Sequence, residues 1–124
     1  MLLNLTDLSS EPLQSQIVRQ IRAKILSGEL EAEADLPSIR ALASTQQVSV
    51  ITVQRAYETL LREGLIHARR GKGFFVSELL KDQKKVMAQQ KLADGLKPIV
   101  ATALAEGLSV QDIKRAVEVA ANHK

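Results

Sequence analysis

Residues 49–76, SVITVQRAYETLLREGLIHARRGKGFFV, constrain the fold of this chain more than any other stretch. Ser49 stands where its hydroxyl can accept from the orphan N–H groups of a first helical turn. Behind it Val53, Ala56, Tyr57, Leu60 and Leu61 recur at helical spacing and predict one buried face. Ile51, Thr52, Gln54, Arg55 and Arg62 fall on the opposite face, short or hydrogen-bonding at the front and positive further back. Gly64 stops the helix. Leu65-Ile66 and Phe74-Phe75-Val76 then read as two short strands around Arg69-Arg70-Gly71-Lys72-Gly73. A polar-faced helix fits a major groove, and a basic hairpin beside it can touch the backbone. Together they predict a mostly α fold with a small β-hairpin wing: a winged helix-turn-helix whose ligand is double-stranded DNA.

The residues upstream supply the rest of such a domain. Residues 1–10 read as a loose or short extended lead-in, and Pro12 opens a helix with Ser9 or Ser10 as its cap. Leu13, Ile17, Ile21 and Ile25 recur every four residues, with Val18 and Leu26 beside them, which gives about four amphipathic turns ended by Gly28. An acidic connection follows over residues 29–35, with Leu30 as its buried peg. Pro37 opens a second helix in which Ile39, Leu42 and Ala43 face inward and Arg40 outward. Gln46-Gln47-Val48-Ser49 must then turn the chain without a glycine.

Past the wing the composition changes. Residues 78–107 are good helix formers with an apolar stripe of Leu79, Val86, Met87, Ala93, Leu96, Val100, Ala103 and Leu104. Gly95 and Pro98 interrupt it, and a kink or break is expected near Ala93–Lys97. Gly107 ends that segment. Ser109, with Asp112 at capping-box spacing, starts a last helix whose apolar side is Ile113, Val117 and Ala120. Two helices of this size cannot make their own core, so the stripe must lie on the winged helix, on a second copy of the chain, or on both. The expected organisation is a DNA-binding domain over residues 11–77 and a short two-helix dimerisation region over 78–124.

Charge follows the same division. Residues 1–35 set six carboxylates against three cations, whereas residues 36–77 set Arg40, Arg55, Arg62, Arg69, Arg70 and Lys72 against Glu58 and Glu63. Positive charge therefore gathers where duplex binding is expected, although six cations there would also suit an ordinary surface. With no cysteine there is no disulfide framework or thiolate site, which fits a reducing compartment. No apolar run approaches a membrane span, and the start MLLNLTDLSSEP lacks the pattern of a signal peptide, so a cytoplasmic location is expected. Aromatic residues at 2% are too few for a single-strand stacking platform.

These motifs resemble the amino-terminal DNA-binding domain of the GntR family of bacterial transcriptional regulators. The resemblance spans residues 11–77. It rests on Leu36-Pro37-Ser38 with Arg40, Thr52-Val53 with Ala56-Tyr57, Glu63-Gly64-Leu65-Ile66, and Arg69-Arg70-Gly71 with Gly73, Phe75 and Val76, in that order and spacing. The short helical remainder looks like the YtrA branch. The family resemblance implies a homodimer on an inverted-repeat operator, usually repressing its own operon, which in that branch often encodes an ABC transporter. It places Arg40, Ser49, Thr52 and Gln54 at DNA-contact positions and Arg70-Gly71 at the wing tip. Three departures stand out: Val50 where many members have an arginine suited to guanine, Gln54 where several have arginine, and Ala32-Glu33 and Gln47 in place of Pro-Gly and a turn glycine.

Several side chains admit two readings. Arg55 can reach DNA or pair with Glu58 or Glu63. Val50 and Ile51 can touch a thymine methyl or simply pack. Arg69, Arg70 and Lys72 around Gly71 read as DNA contacts, the alternative being a hairpin made basic for solubility. His67 and His123 have no carboxylate at metal spacing, and no nucleophile–base arrangement is present, so neither cofactor nor enzyme activity is expected. An effector of unidentified chemistry would fit best between protomers. The competing function is a winged-helix module that binds RNA or a protein partner.

Overall fold

The computed structural model describes residues 1–122, so His123 and Lys124 lie outside the described residues. Its elements are α1 (Leu13–Leu26), β1 (Asp35–Leu36), α2 (Ile39–Gln46), α3 (Val50–Arg62), β2 (Ile66–Arg69), β3 (Gly73–Val76), α4 (Lys81–Ala105) and α5 (Val110–Asn122). They divide into two compact units, Met1–Lys81 and Asp82–Lys124.

The first unit has a closed apolar core. Ile17, Val18, Ile21 and Ile25 of α1 meet Val53, Ala56, Tyr57 and Leu60 of α3, while Leu42 and Ala43 of α2 and Leu65, Ile66 and Val76 complete the interior. Leu61, expected on the buried face, is 36% exposed instead. It sits one 100° step past Leu60 and so falls on the flank of the helix. The lead-in is fastened rather than loose. Leu3 is buried, and buried Gln16 donates from Nε2 to the carbonyls of Thr6 and Glu11, each at 2.8 Å, and accepts from the Thr6 N–H. Neither Ser9 nor Ser10 caps α1, which has no side-chain cap; the Ser9 hydroxyl accepts from Glu11 N–H just ahead of it.

The sheet has three antiparallel strands, not the two of the expected hairpin, in the order β1-β3-β2. Asp35 pairs with Phe75 and Leu36 with Phe74, and the pairing begins with Glu33 N–H donating to the Val76 carbonyl at 2.8 Å. Strand pairing holds Leu36 extended, so Pro37 stays outside α2. Ser38 caps it, accepting from Ala41 N–H at 3.1 Å. Among the described residues two that are not glycine occupy left-handed backbone, Glu33 at φ 66° and Gln47 at φ 55°. Each turn keeps a conformation suited to glycine and bears the steric penalty of a Cβ, on the order of 1–2 kcal/mol.

Helix α4, which supplies the second unit from Asp82 onward, begins at Lys81 rather than residue 78, and it runs unbroken through Gly95 and Pro98. Of the kink or break expected near Ala93–Lys97, the break is absent. Proline removes one helical donor, and the rest of the hydrogen-bond ladder continues past it. Ser109 and Asp112 form the expected capping box: Ser109 Oγ accepts from Asp112 N–H at 3.1 Å and Asp112 Oδ2 from Ser109 N–H at 2.9 Å. Those bonds hold the Asp112 carboxyl below its ordinary range. None of the described side chains of α4 or α5 is buried within this chain.

Candidate nucleic-acid interface

Helix α3 is held from within by Tyr57. Its hydroxyl donates to the Pro37 carbonyl at 2.7 Å, just ahead of α2, and its ring meets Phe74 of β3 edge-on with centroids 5.0 Å apart. One buried side chain therefore ties the start of α2, the middle of α3 and the wing. Burial also pushes the Tyr57 hydroxyl pKa up, so it stays a neutral donor. Behind α3, Arg22 of α1 grips the Glu63 carboxylate through Nε and Nη2.

The first turn of α3 is closed by side chains. Ser49 Oγ accepts from Thr52 N–H at 3.1 Å, and the two hydroxyls share a 2.7 Å hydrogen bond. Val50 and Ile51 in the same turn remain 44% and 49% exposed. Opposite the buried face lie Ile51, Arg55, Glu58 and Arg62. Gln54, on the flank, reaches toward Glu58 at 3.4 Å. Arg55 pairs with neither Glu58 nor Glu63: it has no ion pair among the described residues.

The wing turns at Arg69–Lys72, closed by Lys72 N–H donating to the Arg69 carbonyl at 2.9 Å. Gly71 sits at φ 75° in that turn, a position that favours glycine, and leaves Arg70 and Lys72 exposed. Arg69 is placed differently. Its guanidinium pairs with Glu33 and lies 4.5 Å over the Phe75 ring. His67 stacks near the same ring, its Nε2 3.4 Å from Glu33. Glu33 thus braces the base of the wing from the connection before β1, a role invisible in sequence because 36 residues separate it from Arg69.

Within residues 1–77 the cations fall into two groups. Arg19 pairs with Glu11, Arg22 with Glu63, Lys24 with Glu29 and Arg69 with Glu33. Arg40, Arg55, Arg62, Arg70 and Lys72 have no carboxylate partner among the described residues, and all five are exposed. The free cations lie on α2, α3 and the wing, the three elements that Tyr57 joins. Arg62 belongs with them, although its sequence position alone does not mark it as a contact residue. No cluster of His, Asp or Glu among the described residues could hold a metal ion, and no described helix is long and apolar enough to cross a membrane.

A capped helix with free cations on its outer side, beside a hairpin tipped by more of them, defines a winged helix-turn-helix of the DNA-binding class. Residues 13–76 match the family described as bacterial regulatory proteins, gntR family. The chain is 31% identical over 105 residues to the HTH-type transcriptional repressor YtrA of Bacillus subtilis (strain 168), covering 85% of this chain and 81% of that one. Among solved structures, a GntR family transcriptional regulator from Listeria monocytogenes superposes with a TM-score of 0.76 at 28% identity, covering 89% of this chain and 96% of that one. YtrA from Sulfolobus acidocaldarius, a GntR-family transcription factor, gives 0.59 at 30% identity over 96% of each. The chain belongs to the GntR family and is a DNA-binding transcriptional regulator, not an enzyme.

Proposed function

We propose that the chain acts as a homodimer on a two-fold symmetric duplex operator and represses its own operon, with an ABC-transporter operon the first target to examine. In this reading residues 11–77 form the DNA-binding domain and residues 78–124 the dimerisation region, and the protein works in the cytoplasm. The observation that carries it is the set of unpaired cations on α2, α3 and the wing, whereas the other Lys and Arg side chains of residues 1–77 are paired. Arg40, Arg70 and Lys72 contact phosphate, and Arg55 and Gln54 face the groove. Ser49 and Thr52 present the capped helix start to the backbone, and Gly71 lets the wing tip approach closely. Arg69 contributes through the wing it braces. Regulation by repression is supported by the similar Bacillus regulator, which is a repressor. An effector would bind between protomers.

Selection of duplexes from a random pool by the full-length chain tests this directly. The expected product is an inverted repeat with half-sites about 10–10.5 base pairs apart, centre to centre, or a multiple of that spacing. Recovery of asymmetric single sites, or of no sequence preference, would overturn it.

A further inference from the structure

We infer that the first turn of α3 reads thymine through its 5-methyl group, with Ile51 and Val50 making the contact. This rests on the proposed DNA reading and adds what the helix recognises. Ile51 lies opposite the buried face of α3 and Val50 beside it, each about half exposed. They are not surplus core, since Val53, Ala56, Tyr57 and Leu60 already fill the inward face. The polar side chains of the turn, Ser49 and Thr52, are engaged with one another and with the backbone. What the turn offers outward without an internal partner is therefore hydrocarbon. Unpaired Arg55 stands one turn behind Ile51 on the same face, and Arg40, Arg70 and Lys72 add positive charge on the elements joined to α3. Apolar groups set among free cations suit a polyanion with an apolar feature of its own. In the major groove of unmodified DNA that feature is the thymine methyl.

The test uses the duplex selected by the full-length chain, with each thymine replaced singly by deoxyuridine, which deletes only the methyl. Uridine at one or two positions per half-site should weaken binding about 3- to 5-fold each, the loss expected for one buried methyl-sized group. Ile51→Ala and Val50→Ala, made singly, should erase that sensitivity at their own positions. Alanine suits an exposed helix site, and unchanged thermal unfolding will show that the fold is kept. Uridine without effect anywhere, or a uridine effect that persists in both variants, overturns the inference while leaving duplex binding intact. Failure to select any duplex overturns the DNA reading itself, and the inference with it.

Discussion

Residues 1–81 and residues 82–124 use similar helix-forming residues to opposite ends. In the first unit Ile17, Ile21, Ile25, Val53 and Leu60 are fully enclosed, and a buried tyrosine links helix to sheet. In the second, Val86, Leu92, Ile99, Leu104 and Val117 all remain exposed, Leu92 and Ile99 at 63% and 67%. The first unit closes an apolar core of its own and leaves cations free on α2, α3 and the wing; the second closes no such core among its described residues and leaves hydrocarbon free along two helices. A chain with both kinds of unfinished surface is suited to a charged ligand at one and an apolar partner at the other. A second copy offers the same apolar surface in return, which is why two-fold association is the favoured reading of α4 and α5.

The largest expected effect comes from separating the units. Cutting after Ser77 should leave a folded, monomeric winged helix that binds the operator roughly 100- to 10,000-fold more weakly, because two linked half-site interactions become independent. Sedimentation and binding assays beside the full-length chain check this, and a dimeric fragment would remove the contrast between the units. Within the first unit, Tyr57→Ala should cost about 3–5 kcal/mol in denaturant unfolding. Tyr57→Phe, which only orphans the Pro37 carbonyl, should cost about 1–2 kcal/mol. Equal losses would mean that the hydroxyl, not the ring, is the hub. On the operator, Gln54→Ala should relax base preference at one position per half-site by on the order of 1–3 kcal/mol, read from a repeated selection.

Much of the first unit is legible in the sequence because its signals are local. Ser49 caps α3 as its position implies, and Ile17, Ile21 and Ile25 line the core as their spacing requires. The features that sequence does not reveal are set by distant partners. A two-residue strand such as β1 has no periodicity of its own and exists only because Phe74 and Phe75 pair with it. Arg69 carries the same sequence signal as Arg70, yet Glu33 and Phe75 engage it and leave its neighbour free. Gln16 looks like one more polar residue of α1, but it is buried against two carbonyls of the lead-in. Composition does not mark the turns either: Glu33 and Gln47 hold left-handed backbone without being glycine. The sequence pattern of α4 implies a kink or break, and the helix continues through Pro98 without breaking.

Those turns give a smaller effect. Gln47→Gly should raise stability by about 0.5–1 kcal/mol by relieving the left-handed Cβ clash, measured by the denaturation midpoint. Glu33→Gly should not show that gain, since it also deletes the carboxylate that holds Arg69. The smallest effect is at α5. The folded Asp112 pKa is depressed, so its cap stabilises the helix above the ordinary carboxylate range of about 4 and is lost as pH falls through the folded value. Asp112→Ala should remove that acid dependence from α5 helicity followed by circular dichroism.

The contrast between the two units is tested most directly by the salt dependence of operator affinity. Unpaired cations occur in both, Arg40 and Arg70 in the first and Lys91 in the second, among the described residues. Arg40→Ala and Arg70→Ala should each lower the slope of log affinity against log salt by about one, the share of a single neutralised phosphate, and Lys91→Ala should leave it unchanged. A slope untouched by both arginine variants, or flattened equally by Lys91→Ala, would contradict the assignment of DNA binding to the winged-helix unit.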